Sequence, residues 1–198
     1  MFTTYLLVGK FRFMDMKNKI LQSAQRLIQE RGVNGFSYAD IAKEVGVSKP
    51  SLHHHYASKH VLIVSLMQVY TEQLVFHLES LSGKSATEQL QAYFDVYRRS
   101  LERQLACMGG MLSAEALTLG DDVQALLSEF FDYQRRWLTN LLEKGKSTGE
   151  FEFSNDSHEL ANLIVTTMQG SLIIARALDN KATFEENIGP ILKLLSLK

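Results

Sequence analysis

The side chains best suited to chemistry in this sequence lie in one short stretch, residues 37–60. The stretch combines serine hydroxyls, lysine ammonium groups and four of the six histidines in the chain. Such groups donate hydrogen bonds to phosphate oxygens and to the edges of nucleic-acid bases. The four histidines are His53, His54, His55 and His60. The stretch therefore indicates a surface that binds a polyanion.

The distribution of charge agrees with this interpretation. Residues 1–60 carry nine lysines and arginines against four acidic residues, a balance of +5. Residues 61–198 carry twelve against eighteen, a balance of −6, so the whole chain has a net charge of −1. A basic N-terminal part on an acidic body favours contact between the first part and a polyanion.

Catalysis and metal binding have little support in the same sequence. Neighbouring histidines such as His53, His54 and His55 point about 100° apart around a helix and cannot converge on one ion. The sequence offers no nucleophile–base pair, glycine-rich phosphate loop or paired carboxylates, and Glu115 and Glu159 are isolated acids. We therefore expect no enzyme, no metal and no cofactor.

Two short helices joined by a turn are predicted to position the polar side chains. Ser37 caps the first helix, with Asp40 in place of the usual glutamate of a capping box. Gly46 ends this helix, because glycine tolerates the positive φ of a tight turn. Ser48 caps the second helix, whose first turn tolerates Pro50. This pattern predicts a helix-turn-helix, whose second helix enters the major groove of DNA.

The spacing Ala42-x3-Gly46-x5-Leu52 gives each of these positions a role. A small alanine lets the two helices approach closely, and Leu52 turns toward the core together with Tyr56. The opposite side of the second helix can then reach phosphates and base edges. That side consists of Ser48, Lys49, Ser51, His53 and His54. Lys59, at the start of the next helix, can hold a second phosphate. The alternative to a DNA-binding helix-turn-helix is an ordinary amphipathic helical hairpin.

The remaining sequence predicts an all-α protein with nine helices and no convincing pair of strands. Apolar residues make up 45% of the chain, and only two prolines occur, Pro50 and Pro190. Helix breaks are expected at Gly109-Gly110 and Gly120, with a loop over 145–155. Including their caps, the helices are predicted over about 15–31, 37–45, 48–56, 58–81, 87–106, 111–119, 121–144, 156–178 and 183–197.

These elements divide into three regions. Residues 1–14 lack the helical pattern of the rest of the chain and are interpreted as a leader, or as an artefact of start-codon choice. Residues 15–60 form the helix-turn-helix domain, and residues 61–198 form a ligand-binding and dimerisation domain.

The single cysteine excludes an intrachain disulfide, which fits a reducing cytoplasm. No apolar run reaches the roughly 18 residues of a membrane span, so no membrane contact is expected.

A family resemblance emerges from the stretch FSYADIAKEVGVSKPSLHHHYASK, residues 36–59. It resembles the N-terminal signature of the TetR family of bacterial repressors, and the order of helices agrees over residues 15–198. His53 departs from the family pattern, which has another aromatic residue there. The resemblance implies a homodimer that binds double-stranded operator DNA in the cytoplasm. It implies phosphate contacts for Ser37, Tyr38, His54, His55 and Lys59, base contacts for Lys49, Pro50 and Ser51, and a base or sugar contact for His53.

The resemblance also implies that the last two helices form a four-helix bundle with those of a second copy. Gly170, Ser171 and Ala175 are small enough for close contact between helices. The expected apolar seam is Leu163, Ile164, Ile174, Ile188, Ile191, Leu192 and Leu195. An intrachain core is the alternative.

Helices five to seven would surround a pocket for a hydrophobic or aromatic ligand. The candidate pocket residues are Phe94, Tyr97, Leu101, Cys107, Met108, Met111, Leu112, Phe130, Tyr133, Trp137 and Met168. Ordinary core packing is the alternative for each of them.

Cys107 is the most specific candidate in that set. Residues 106–115 resemble a stretch of TetR members that sense electrophiles or oxidants, and Arg103 lies one turn earlier. A buried structural cysteine is the alternative.

Together these patterns predict a ligand-responsive repressor, which a small hydrophobic or electrophilic effector releases from a palindromic operator. The alternatives are an activator or DNA-binding dimer without a small ligand, a thiol-based redox sensor, and an enzyme or lipid carrier on a helical bundle.

Overall fold

The computed structural model describes residues 16–195, which form nine α-helices and contain no strand. The predicted all-α class and helix count are therefore confirmed for this range. Two 3-10 turns, Val33–Gly35 and Ala116–Thr118, lie between helices. In chain order the helices are α1 Met16–Arg31, α2 Tyr38–Val45, α3 Lys49–His55, α4 Lys59–Glu79, α5 Ala86–Glu102, α6 Met108–Ala114, α7 Asp121–Ser147, α8 Ser157–Ala177 and α9 Ala182–Leu194.

Some sequence predictions fall outside the described residues. These are the leader over residues 1–14, the cap by Asp15 and the extension of the last helix to residue 197.

Several predicted helix boundaries are wrong: the helices predicted to reach residues 106 and 119 end at Glu102 and Ala114, and close packing explains two further differences. Gly109 and Gly110 do not break a helix; they lie inside α6, while the preceding break occurs at Gln104, with a φ of 57°. A Cβ at Gly109 would come within 2.6 Å of the Phe130 ring. Likewise α7 continues past Gly145, where a Cβ would come within 2.1 Å of Phe151. Glycine at both positions allows close contact rather than ending a helix.

The chain forms two compact units, which are described separately. The first contains residues 16–77 and 111–127, and the second contains residues 78–110 and 128–195. The sequence analysis divided the chain at residue 60 by function, into a DNA-binding domain and a ligand-binding and dimerisation domain. That functional division stays a prediction.

The first unit has a continuous apolar core beneath the helix-turn-helix. Every helix from α1 to α4 supplies fully buried aliphatic side chains, and burial of each leucine or isoleucine contributes roughly 1.5–3 kcal/mol of transfer free energy. The most deeply buried are Ile20, Ala24, Ile28, Ile41, Leu52 and Leu62.

The second unit buries larger side chains and uses a carboxylate to start α5. Its fully buried residues include Tyr93, Phe94, Leu138, Ile164, Leu172 and Phe184. The Glu150 carboxylate accepts hydrogen bonds from the backbone N–H groups of Ala86 at 3.0 Å and Thr87 at 2.9 Å. These donors lower the pKa of Glu150 to about 2.

Two helices bear on the expectation that the chain contains no membrane span. By length and composition alone, α4 and α8 could cross a bilayer. Core helices of other proteins meet the same criterion, and 44% of the α8 window is already buried within this fold.

Candidate nucleic-acid interface and buried polar cluster

The helix-turn-helix has the local geometry that its sequence predicts. The Ser37 backbone N–H and hydroxyl both donate to Asp40 Oδ2 at 2.7 Å, and these hydrogen bonds lower the pKa of Asp40. Gly46 ends α2 with a φ of 78°, and its N–H donates to the Ala42 carbonyl at 3.0 Å. The Ser48 hydroxyl oxygen accepts the Ser51 N–H at 3.3 Å, which caps α3.

The two faces of α3 differ as expected. Leu52 is fully buried and Tyr56 is nearly so. The exposed residues of the predicted DNA surface are Ser37, Ser48, Lys49, Pro50, His53 and His54. Ser51 and His55 are half-buried beside them. One face of α3 thus packs on the core, while the opposite face presents hydroxyl, ammonium and imidazole groups.

Tyr38 and His53, two predicted DNA contacts, also hold each other in place. The Tyr38 hydroxyl donates to the Tyr56 carbonyl at 2.9 Å, and burial raises its pKa to about 12. His53 Nδ1 lies 3.1 Å from the Ala57 carbonyl oxygen, and its ring centroid is 4.7 Å from that of Tyr38. The only proton on the Tyr38 hydroxyl is therefore already donated within the protein.

Lys59, another predicted phosphate contact near α3, is turned toward its own chain. Its ammonium donates to the carbonyl oxygens of Val33 and Phe36, the latter at 2.6 Å, and lies 4.0 Å from the centroid of the Phe36 ring. Burial lowers its pKa. Two of the three ammonium protons are occupied, which leaves one for a phosphate.

Sequence reasoning missed a polar network between α1 and α2. The Glu44 carboxylate accepts hydrogen bonds from Ser23 at 2.8 Å and from Arg26. Arg26 also pairs with Glu30 one turn later, and these partners raise its pKa. The i,i+4 spacing of Arg26 and Glu30 was the only signal in the sequence.

Glu115 is not isolated, contrary to the sequence interpretation. Its carboxylate accepts the backbone N–H of Val33 at 2.7 Å and the side-chain amide of Asn34. Because 82 positions separate Glu115 from Val33, no local pattern in the sequence could predict this contact.

The candidate pocket residues divide between the two units. Those buried in the second unit are Phe94, Tyr97, Leu101, Cys107, Met108, Phe130 and Met168, with Tyr133 and Trp137 half-buried. Met111 and Leu112 belong to the first unit, where Leu112 is fully buried.

A buried polar cluster that the sequence interpretation missed lies in the second unit. The hydroxyls of Tyr93 and Tyr97 both donate to Gln134 Oε1 at 3.0 Å. Gln169 Nε2 donates to the Tyr97 hydroxyl at 3.0 Å and lies 3.4 Å from Cys107 Sγ. Burial raises the pKa of Tyr93, so its hydroxyl stays protonated. Two glutamines on otherwise apolar helix faces were the available signal.

The predicted dimer seam is partly wrong. Four of its members pack inside their own chain, namely Ile164, Ile188, Ile191 and Leu195, and so do the small residues Ser171 and Ala175. The exposed apolar residues of α8 and its end are Leu163 and Ile174, both members of the predicted seam, together with Ile173 and Leu178. Gly170 lies on the same face of α8, and nothing lies within 4 Å of its Cβ position.

Two family models match the chain, one over its N-terminal part and one over its C-terminal part. The model described as "Bacterial regulatory proteins, tetR family" matches residues 20–66, which include α2 and α3. The model described as "Tetracyclin repressor-like, C-terminal domain" matches residues 86–189, just over half of the chain.

Solved structures and curated relatives agree with the family models. A TetR-family transcriptional regulator from Agrobacterium tumefaciens is 30% identical with a TM-score of 0.86, over 91% of this chain and 97% of that one. A TetR transcriptional regulator from Legionella pneumophila is 28% identical with a TM-score of 0.84, over 95% and 100%. The nucleoid occlusion factor SlmA of Haemophilus influenzae is 26% identical over 74% of this chain and 68% of that protein.

Proposed function

Because the chain belongs to the TetR family of bacterial transcriptional regulators, we propose that it is a cytoplasmic, ligand-responsive repressor that binds palindromic operator DNA as a homodimer. The observation that carries this proposal is the two-sided character of α3. Leu52 fixes the helix on the core, while Lys49 and His54 are exposed on the other side. An exposed cation and imidazole on a short helix suit phosphate and base contacts in a major groove.

The exposed apolar face of α8 supports the proposed dimer. One helix-turn-helix reads few bases, whereas two copies spaced by about 34–36 Å read both halves of a palindrome. The face containing Leu163, Ile173 and Ile174 would pack against the same face of a second copy, as a two-fold axis requires.

The effector would act at the second unit, whose buried aromatic residues suit a hydrophobic or electrophilic molecule. A coupling free energy of about 1–3 kcal/mol between effector binding and DNA binding would change operator affinity roughly 5- to 150-fold.

One observation favours a DNA-binding regulator without a small ligand. The hydroxyls of Tyr93 and Tyr97 already find their acceptor in Gln134, so these groups need no bound molecule to satisfy them. A thiol sensor at Cys107 is a further alternative. The low exposure of Cys107 and its contact with Gln169 also fit a structural thiol.

Footprinting on the DNA that flanks the gene of this protein tests the proposal. We expect protection of an inverted repeat, and the protected duplex is named the operator fragment. Lys49→Ala should weaken binding to the fragment and reduce the slope of log K against log salt by about 1 if Lys49 contacts a phosphate. Lys181→Ala, an exposed lysine of the second unit, is the matched control. Lys49→Ala and His54→Ala variants that bind as tightly as the parent would refute the proposal.

A further inference from the structure

The side of α3 that points away from the core has a histidine at its centre. Successive side chains of an α-helix are separated by about 100°, so His54 points roughly 160° away from Leu52. Leu52 is fully buried, and His54 is exposed. Pro50 lies on the same outer side one turn earlier, but it has no N–H to donate. Of these two outermost residues, only His54 can donate a hydrogen bond.

Several other polar groups of the predicted DNA surface donate their protons within the protein. The Ser37 hydroxyl donates to Asp40 Oδ2 at 2.7 Å, and the Tyr38 hydroxyl donates to the Tyr56 carbonyl at 2.9 Å. The Lys59 ammonium donates to two carbonyl oxygens of the turn after α1. Ser37, Tyr38 and Lys59 therefore hold the helix-turn-helix in shape and retain few free donors for DNA.

His54 is not committed in this way. Its ring packs edge-on against that of His55, with 5.9 Å between the ring centroids. Within residues 16–195, His54 forms no hydrogen bond and no ion pair, so both of its ring nitrogens are available to an outside group. A protonated imidazole uses both nitrogens as donors and carries a positive charge, which suits a phosphate oxygen.

The carboxylates of α2, the helix that packs against α3, are bound elsewhere. Asp40 accepts from the cap of its own helix. Glu44 accepts from Ser23 at 2.8 Å and from Arg26. The other titratable groups of α2, α3 and the start of α4 are Tyr38, Lys43, Lys49, His53, His55, Lys59 and His60. None of these is an anion near neutral pH, so the strongest negative charge that His54 can meet is that of DNA.

We propose that His54 binds a DNA phosphate as an imidazolium, so that operator binding takes up one proton at each copy of α3. This inference rests on the proposed function, since it requires operator binding. A nearby anion favours the charged form of an imidazole, so the bound state holds more protons than the free state. By linkage, operator affinity must then rise as the pH falls. Histidine changes its charge between about pH 5 and 8, so the effect belongs to the physiological range.

The other two histidines of α3 have different surroundings. His53 Nδ1 lies 3.1 Å from the Ala57 carbonyl oxygen, and His55 is half-buried. A proton on His53 Nε2 would remove an acceptor and could oppose the effect of His54. The test is therefore the ratio of wild-type affinity to the affinity of a His54 variant, because both proteins share every other histidine.

His54→Gln supplies the first comparison, because glutamine keeps a donor but does not titrate. Fluorescence anisotropy with the operator fragment gives both affinities at about pH 8 and about pH 6.5, at constant ionic strength. The ratio should increase at least about three-fold per bound chain at the lower pH. Uptake of one proton limits the increase to about ten-fold per pH unit. At the lower pH, His54→Gln should also reduce the slope of log K against log salt by about 1 per bound chain.

His54→Arg supplies the opposite comparison, because a guanidinium stays charged at both pH values. This variant should bind at least as tightly as the wild type at the higher pH, and the difference between the two should shrink at the lower pH. His158→Gln is the matched control, since His158 is an exposed histidine of the second unit. Its affinity should follow that of the wild type at both pH values. Circular dichroism checks folding, and if one His54 variant does not fold, the other decides the result.

The two proposals fail in different ways. Wild-type protein that does not bind the fragment at either pH refutes the proposed function. Wild-type protein that binds, with the same affinity ratio to the His54 variants at both pH values, overturns the role of His54. A ratio that depends on pH without any change in the salt slope overturns the phosphate contact.

Discussion

His53 has one ring nitrogen within hydrogen-bond distance of the backbone, since its Nδ1 lies 3.1 Å from the Ala57 carbonyl oxygen. Because a carbonyl oxygen only accepts, this hydrogen bond selects the tautomer that carries the proton on Nδ1. In the neutral ring, Nε2 is then an acceptor. An acceptor on a recognition helix suits an exocyclic amine, on cytosine N4 or adenine N6.

His53→Phe tests this chemistry at the position that departs from the family pattern. Phenylalanine keeps an aromatic ring against Tyr38 but removes both nitrogens. We expect operator affinity to fall by roughly 0.5–1.5 kcal/mol, as for one hydrogen bond. The loss should also disappear when the contacted base is replaced by one without an amine. Fluorescence anisotropy measures both, with His158→Phe on α8 as control. An unchanged affinity would mean that His53 only packs on Tyr38.

The helix-turn-helix could be predicted almost residue by residue because its caps are local. Ser37, Asp40, Gly46 and Ser48 all act within four positions of their partners. The α5–α6 boundary could not be predicted, because the decisive contact of Gly109 is with Phe130, 21 positions away. Intrinsic propensity treats this glycine as a helix breaker, whereas the packed helix requires its missing side chain.

Gly109→Ala should therefore destabilise the protein even though alanine favours helices. The added methyl would meet the buried Phe130 ring, and overpacking of this kind costs about 1–3 kcal/mol. Gly189→Ala in α9 is the matched control, because nothing lies within 4 Å of its Cβ position. Because Gly189 precedes Pro190, which disfavours the helical conformation of a preceding residue that has a Cβ, the usual gain of Gly→Ala in a helix is offset, and we expect only a small change in stability. Urea unfolding followed by circular dichroism distinguishes them, and equal effects of the two variants would contradict the packing argument.

The long-range organisation of the molecule is where sequence patterns were least informative. The sequence analysis predicted a phosphate contact for Lys59 and treated Glu115 as an isolated acid. Both are instead bound to the turn after α1, through contacts that span 26 and 82 positions. The polar cluster around Gln134 and Gln169 was missed for the same reason, since its members come from three separate helices. Local sequence constrains caps and faces, but not which distant groups meet.

The same limit applied to the dimer seam, where periodicity alone could not separate the inner and outer apolar faces of α8. Ile164 packs inside the chain, whereas Leu163, Ile173 and Ile174 remain 45–50% exposed. A two-fold arrangement would bring the exposed side chains together near Gly170, whose missing side chain permits close approach of two helices.

Ile174→Glu should convert the proposed dimer to a monomer, because two carboxylates would meet an apolar surface near the two-fold axis. Leu117→Glu is the matched control; Leu117 is 94% exposed and belongs to the first unit. Sedimentation should show a monomer only for Ile174→Glu. Affinity for the full palindrome should then approach that for a half-site, since the two helix-turn-helix units bind independently. A dimeric Ile174→Glu variant with undiminished operator affinity would place the dimer interface elsewhere on the molecule.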